Sequence, residues 1–356
     1  MYDQIRNQPI VTKRHMPSTD KSKQPTMLDV AEKAGVSAMT VSRALKHDSY
    51  IKEETRIKIM RAVDELGYVL DNTAAGLSSR KSGFVAMIIP SINNANFAQT
   101  VSGVTEVLEQ CGLQLLLAHT NYDEDAEEQL VAQLLSRRPQ AIILTGSNHT
   151  QKCVSMLKNA NIPVIEVWDI PDNTIDYCVG FSYREAAAMM VDHFVEKGCK
   201  KLAFVGGDST SDPRGRARRL GFIEAVRKKN LDEPELIDVG HAPVLMEHGT
   251  LAAKELIKSG SRPDAVMCVS DLIAFGFMSE CQRNHIKIPG EMLIAGFGAY
   301  DISDTSHPTI TTIDASARKI GTIAGQIISD LSNDTDILKH RHLLPFRLIE
   351  RESTRI

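Results

Sequence analysis

The chain has 356 residues, 42% of them hydrophobic and 24% charged, with a formal net charge of −4. That length allows two or three domains with a sizeable core, and the composition fits an ordinary soluble globular protein, not a fibrous, disordered or membrane-spanning one. Residues 1–82 hold 14 Lys and Arg against 10 Asp and Glu, and the remainder holds 27 against 35, so a basic N-terminal piece precedes an acidic body, as expected of a head that meets nucleic acid.

Residues 1–25 are polar and basic, interrupted by Pro9, Pro17 and Pro25, and read as a disordered arm without a signal-peptide core. The stretch Thr26 to Lys46, TMLDVAEKAGVSAMTVSRALK, then holds two short helical patterns broken by a turn. Thr26 can cap the first, because its oxygen accepts from an otherwise unpaired amide. Leu28, Ala31 and Glu32 recur at helical spacing, with Val30 and Ala34 on an adjoining inward face. Gly35 supplies the turn, where a residue without Cβ takes positive φ cheaply. Ser37 recaps, and Val41, Ala44 and Leu45 give the second helix its buried side. The other side shows Ala38, Met39, Thr40, Ser42 and Arg43, short, polar or cationic groups able to approach a base edge. That is the pattern of a helix-turn-helix reader of the major groove, although any small helical hairpin needs a Gly turn and apolar faces.

Lys52–Leu66 forms a third amphipathic stretch, with Ile51, Ile57, Ile59, Val63 and Leu66 apolar, and Tyr68 and Val69 are expected to complete a small core. Residues 26–70 therefore make a head, and 71–82 a small, polar linker with one large apolar residue, Leu77. Within the head, DVAEKAGVSAMTVSRAL and Glu65-Leu66-Gly67-Tyr68 resemble the lac-repressor family of bacterial transcription regulators nearly letter for letter, and the similarity continues to the C-terminus. The resemblance implies that Arg43, Ser42 and Met39 touch base edges while Thr26, Ser37 and Thr40 bond phosphates. It also implies a hinge helix that forms on operator DNA, with Leu77 as a minor-groove wedge and Ala74 as the small residue where two hinge helices meet. Leu70, Asp71 and Gly76 depart from the family pattern there.

The body, 83–356, alternates short apolar runs with helical segments. The runs are FVAMIIP (84–90), LQLLLAH (113–119), AIILTG (141–146), PVIEVW (163–168), KLAFVGG (201–207), DAVMCVSD (264–271) and MLIAGFG (292–298). Such runs mark parallel sheets with βαβ crossovers, and a division near Phe181–Arg184 splits them four and three. The resulting fold class is α/β. The resemblance implies two Rossmann-like lobes of periplasmic-binding-protein type joined by three crossovers, the third near Thr311–Asp314. Ser316–Leu331 would then return to the first lobe, and Leu343–Arg351 form a late strand on the second.

In open α/β sheets ligands lie beyond the C-terminal strand ends, which places a cleft among loops carrying Asn93, Phe97, His119, Trp168, Asp169, Asp271 and Asp301. Such Asn, His, aromatic and Asp side chains suit a small polyhydroxylated ligand. Arg214, Arg216, Arg218 and Arg219 precede LGFIEAV; the bland reading is a solvated helix start, although cations there oppose the helix dipole. The resemblance gives Arg218, four residues before Phe222, an effector contact, and a guanidinium grips a carboxylate bidentately. VSDLIAFG carries Asp271 in the family's NDxxAxG place with Ser270 for Asn. Gly298 stands where many members have an Asp, and the acid moves to Asp301. LAHTNY, VIEVWD, VGF and ECQR look most similar to the gluconate and idonate regulators, implying a sugar-acid effector.

Six scattered cysteines without a CxxC read as reduced thiols of a cytoplasmic protein, and no apolar run has the length of a membrane span. An enzyme lacks support: there is no GxGxxG, P-loop or GxSxG, and the His residues show no metal-ligand spacing. Neither a cofactor nor a metal is expected. The expectation is a cytoplasmic, homodimeric repressor of sugar or sugar-acid catabolism on a pseudopalindromic operator. The alternative is a sugar-binding sensor or transport-type protein without specific DNA binding.

Overall fold

The computed structural model describes residues 25–45, 51–69, 82–208, 212–333, 335 and 337–356. The chain divides into two units, Met1–Ser79 and Arg80–Ile356. In the first, helices α1 (Met27–Ala34), α2 (Ala38–Leu45) and α3 (Glu53–Leu66) surround Val30, Ala31, Val41, Ala44, Ile59, Ala62 and Tyr68. Thr26 and Asp29 cap α1 reciprocally: Thr26 N donates to Asp29 Oδ2 at 2.7 Å and Asp29 N to Thr26 Oγ1 at 3.4 Å, the capping box. Gly35 ends α1 at φ +66°. Arg56 Nη1 on α3 donates to the Ala44 carbonyl at 3.1 Å, satisfying a group at the C-terminal end of α2. Leu28 and Val69, expected to face the core, are 70% and 84% exposed. The buried stripe of an eight-residue helix is narrow, and Val30 with Ala31 fills it.

The second unit holds two parallel sheets. The first lobe is built on β1 (Phe84–Ile89), β2 (Gln114–His119), β3 (Ile142–Thr145), β4 (Val164–Val167), β5 (Tyr177–Gly180) and β11 (Arg341–Leu343), ordered β11-β5-β4-β3-β1-β2. The second lobe is built on β6 (Leu202–Val205), β7 (Glu235–Ile237), β8 (Ala265–Cys268) and β9 (Leu293–Ala295), ordered β7-β6-β8-β9. All partners within both sheets run parallel, with Phe84 opposite Gln114 and Ala86 opposite Ile142. The central strands are buried on both faces, which is why their sequences read as unbroken apolar runs. The sequence pattern missed β5 and β7, whose three or four residues carry little signal of their own.

The helices of this unit are α4 (Ala95–Gln110), α5 (Glu124–Ser136), α6 (Gln151–Asn159), α7 (Tyr183–Glu196), α8 (Pro213–Lys228), α9 (Met246–Ser259), α10 (Asp271–Arg283), α11 (Asp301–Thr305) and α12 (Ala317–Ser332). The chain leaves the first sheet after β5 and returns after β10 (Thr312–Asp314) through α12. There Thr100 Oγ1 on α4 donates to the Ala317 carbonyl at 3.1 Å. Thr311–Asp314 is thus the second crossing. The third follows β11, which pairs with β5 on the first sheet, before β12 (Arg347–Ile349) pairs antiparallel with β10. Leu343–Arg351 is therefore not one late strand on the second lobe: its first residue belongs to the first sheet. Ser353 Oγ then donates to the Ile294 carbonyl at 2.6 Å, tying the C-terminus to the second lobe.

Candidate functional site

Ser37 starts α2: Thr40 N donates to its Oγ at 3.2 Å, and the Ser37 and Thr40 hydroxyls lie 2.8 Å apart. Because Val41 and Ala44 turn into the core, the opposite side of α2 is left outward. Met39 is 68% exposed, Ser37 and Arg43 are exposed, and Ala38, Thr40 and Ser42 are partly so. Thr26 lies exposed at the start of α1, its hydroxyl engaged by the cap. One helix thus presents a methyl, a thioether, hydroxyls and a guanidinium together, the groups that read bases and hold phosphates. Leu28 adds an exposed apolar side chain that the sequence had assigned inward. Ala74 and Leu77 lie outside the described residues.

In the second unit, loops at the C-terminal strand ends enclose a cavity of about 790 Å³, part of it open to solvent. Asn93, Asn94, Asn96 and Phe97 follow β1, Tyr122 follows β2 and Trp168 follows β4. Tyr183 opens α7, Asp212, Arg214 and Arg218 belong to the start of α8, and Phe297 and Tyr300 follow β9. Arg214 and Arg218 stand four apart on one helix face. The Arg218 guanidinium carbon is 4.6 Å from the Phe297 ring centre and 5.2 Å from that of Tyr183. Its Nε is buried without a hydrogen-bond partner. Arg214, 8% exposed, lies 5.7 Å from the Phe97 ring centre, and its Nη1 donates to the Thr145 carbonyl at 3.3 Å. Neither guanidinium forms an ion pair among the described residues. The nearby acid, Asp212, caps α8 by accepting from Gly215 N at 3.1 Å.

The aromatic walls are held by polar contacts. Trp168 Nε1 donates to Thr100 Oγ1 at 3.0 Å, and its ring meets Phe97 edge-on at 5.8 Å. Tyr300 Oη donates to Asn94 Oδ1 at 3.0 Å, joining the two lobes across the cavity. Burial pushes the Tyr122, Tyr183 and Tyr300 phenols upward, so they remain protonated donors.

Of the expected effector residues, Asn93, Phe97, Trp168 and Arg218 line this cavity, whereas His119, Asp169, Asp271 and Asp301 do not. His119 ends β2 on an exposed edge. Asp169 turns to Ser147 Oγ at 2.5 Å and to Ile170 N at 2.9 Å. Asp271 is fully buried, accepting from Thr312 Oγ1 at 2.6 Å and Tyr300 N at 2.8 Å. It holds the loop that carries Phe297 and Tyr300. Burial raises its carboxyl to about 6, against the opposing pull of those two donors. Asp301 is exposed on α11. Gly298 sits at φ +125°, where an added Cβ would come within 2.6 Å of Tyr300 Cε1 and 2.9 Å of Asn96 Nδ2. The Tyr300 ring has taken the space an acid would need. Of the four arginines, Arg216 pairs with Asp208 at 3.2 Å and Arg219 donates to the Gly206 carbonyl at 3.1 Å. Arg214, which the sequence left among the solvated ones, is buried.

A helix-turn-helix head carried by the same chain as a two-lobed body, with a cationic, amide-rich cavity between the lobes, defines the class of ligand-responsive DNA-binding regulators. The sequence models of known families agree. Residues 26–71 match "Bacterial regulatory proteins, lacI family", and residues 191–354 match a "Periplasmic binding protein-like domain". The HTH-type transcriptional regulator GntR of Escherichia coli K12 is 32% identical over 314 residues, covering 86% of this chain and 91% of the relative. IdnR of the same organism is 31% identical, covering 89% and 94%. A solved LacI-family regulator from Silicibacter pomeroyi superposes with a TM-score of 0.86 at 30% identity, covering 93% of this chain and 100% of the other. The chain belongs to the lacI family of bacterial regulatory proteins and is a DNA-binding transcription regulator. No described helix is long and apolar enough to cross a membrane.

Proposed function

We propose that the protein is a cytoplasmic, homodimeric repressor whose operator binding is governed by a sugar-acid effector of the gluconate type. The observation that carries the effector class is the pair Arg214 and Arg218, two guanidiniums in one cavity without a carboxylate partner among the described residues. A sugar carboxylate, or the anionic group of a phosphorylated relative, supplies the missing charge, while Asn93, Asn94 and Asn96 suit hydroxyls and the aromatic walls suit the C–H face. The likeness to GntR and IdnR supports the same ligand class. Two heads would read the half-sites of a pseudopalindrome, Arg43, Ser42 and Met39 at base edges and Thr26, Ser37 and Thr40 at phosphates, with Ala38 close to the groove floor. Ala74 and Leu77 are assigned to the hinge and its minor-groove wedge.

The effector acts only in so far as it binds the DNA-competent and released states unequally, by about 1–3 kcal/mol. The test is operator affinity on DNA beside the protein's own gene, by fluorescence anisotropy, with gluconate, idonate and their phosphorylated relatives. Binding weakened about 5- to 150-fold by one of these acids is the expected result. Absence of specific DNA binding under every ligand would overturn the repressor reading. A response only to neutral sugars would overturn the effector class.

A further inference from the structure

Besides the residues that line the effector cavity, the first lobe gathers a second set of side chains with metal-binding atoms. Glu127 comes from α5, His149 from the loop after β3, Cys153 from α6 and Glu166 from β4. His149 Nδ1 lies 2.6 Å from Glu127 Oε1, and Cys153 Sγ lies 3.9 Å from the same oxygen. The ligand atoms of these three residues all fall within 4.8 Å of one another. The His149 side chain is 2% exposed, and its Nε2, buried without a hydrogen-bond partner, stands 3.6 Å from Glu166 Oε1. Glu166 Oε2 is already engaged by Thr174 Oγ1 at 2.5 Å and Ile175 N at 2.7 Å, which aims Oε1 at the ring.

A plain buried ion pair needs one imidazolium and one carboxylate. Here two carboxylates and a thiol face a single ring, so the cluster holds more ligand groups than an ion pair uses, and a divalent ion that displaces two protons would leave its net charge unchanged. The donor set is also specific: imidazole nitrogen, carboxylate oxygen and thiolate sulfur are the ligands of zinc, at about 2.0–2.3 Å from the ion. Tetrahedral ligands at those lengths stand roughly 3.3–3.7 Å apart, and the 2.6 and 3.9 Å separations bracket that spacing. The second carboxylate has a place in the same scheme. A metal-bound histidine donates its other N–H to a carboxylate that fixes the ring, and Glu166 faces Nε2 in that position. Glu127 further lines a small pocket open to solvent, with the acids Asp123 and Glu124 on one side and Arg214 on the other, which would give an ion a path in and a water a fourth position.

We infer that Glu127, His149 and Cys153 form a binding site for a thiophilic divalent ion of the zinc type, with Glu166 as the carboxylate that orients the imidazole. Binding displaces the proton on His149 Nδ1 and the thiol proton of Cys153, both leaving to solvent, and involves no redox change. The loop that carries His149 begins beside Thr145, whose carbonyl accepts from Arg214, so the ion would brace a segment in contact with the effector cavity. The inference does not depend on which effector that cavity takes.

The test is titration of the untagged, metal-stripped, full-length protein with Co²⁺ and with Zn²⁺. One equivalent of Co²⁺ per chain should bind and produce the near-ultraviolet absorption of a thiolate–cobalt bond together with visible bands of a four-coordinate ion. Cys153→Ser should lose the thiolate band and bind Zn²⁺ more than about 100-fold more weakly, beyond the loss expected for an outer-shell partner. Cys111→Ser, at an exposed cysteine, should leave both unchanged. Glu127→Gln, similar in size, is the second variant should Cys153→Ser fail to fold, and it should weaken Zn²⁺ binding to the same extent. No stoichiometric Co²⁺ uptake, or a thiolate band that persists in Cys153→Ser, or full affinity in Glu127→Gln, overturns the site.

Discussion

Replacing Arg218 by Ala removes a guanidinium held between the rings of Phe297 and Tyr183, with centroid distances of 4.6 and 5.2 Å. Arg218 lines the cavity and has no ion pair among the described residues, so its guanidinium can meet an anion that occupies the cavity. Hydrogen bonds to a charged partner contribute about 1.5–3 kcal/mol each, which is roughly a 10- to 150-fold change in dissociation constant. The variant should therefore bind the operator as the parent does in the absence of ligand, and need about 10- to 150-fold more sugar acid to respond. Calorimetry with gluconate or its phosphorylated relative measures the ligand affinity, and anisotropy on operator DNA the operator binding and its response. Arg218→Lys separates charge from geometry, since Lys keeps the charge but loses the planar fork and most of the stacking; it should fall between parent and Ala variant. An unchanged ligand response in Arg218→Ala would refute the assignment, and so would loss of operator binding without ligand, which would make Arg218 a structural residue.

Two further perturbations test other parts of the molecule. Arg43→Ala should weaken operator binding by about 1–3 kcal/mol, the discrimination carried by a base-edge contact, and leave ligand affinity untouched; undiminished operator affinity would remove α2 from base reading. Asp271 has its carboxyl raised from 3.8 to about 6 by burial, so between those values the folded state holds more proton than the unfolded one. Its contribution is then absent below 3.8 and destabilising above about 6, by about 3 kcal/mol at most. Urea unfolding between about pH 4 and pH 7 should show the parent losing stability relative to Asp271→Asn as pH rises across that window. A slope that is the same in both proteins would refute it.

The sequence made some of these features visible and hid others for physical reasons. The head was legible because a capping threonine, a turn glycine and a helical apolar stripe are local signals, and α2 followed with its outward Met39 and Arg43. The central strands were legible because burial on both faces leaves unbroken apolar runs. The strand Glu235–Ile237 and the division of residues 341–349 between two sheets were not, since segments of three residues take their strand character from their neighbours. Asp271 looked like a ligand contact because it sits at a strand end; only the third dimension shows its carboxyl turned inward to Tyr300 N and Thr312 Oγ1. Arg214 could have been found, because four-residue spacing already places it on the face of Arg218. Glu127, His149, Cys153 and Glu166 come from four elements at irregular spacing, a pattern with no sequence signature.

The start of α8 shows why an anionic effector would change the state of the protein and not merely fill a hole. Asp212 caps the helix, Pro213 occupies its first turn, and Arg214 and Arg218 follow. Cations near a helix N-terminus oppose its dipole, and here both are also drawn from water against aromatic rings. An arrangement with those two penalties would be relieved by an anion placed between Arg214 and Arg218. The rest of such a ligand would meet Asn93, Asn94 and Trp168, which belong to the first lobe, whereas α8 belongs to the second. A sugar acid with its carboxylate on α8 and its hydroxyls on the asparagines therefore binds best when the lobes are drawn together, reinforcing the bond that Tyr300 makes to Asn94 across the cavity. A difference in contact between drawn-together and separated lobes would supply the unequal binding that ligand control of DNA affinity requires.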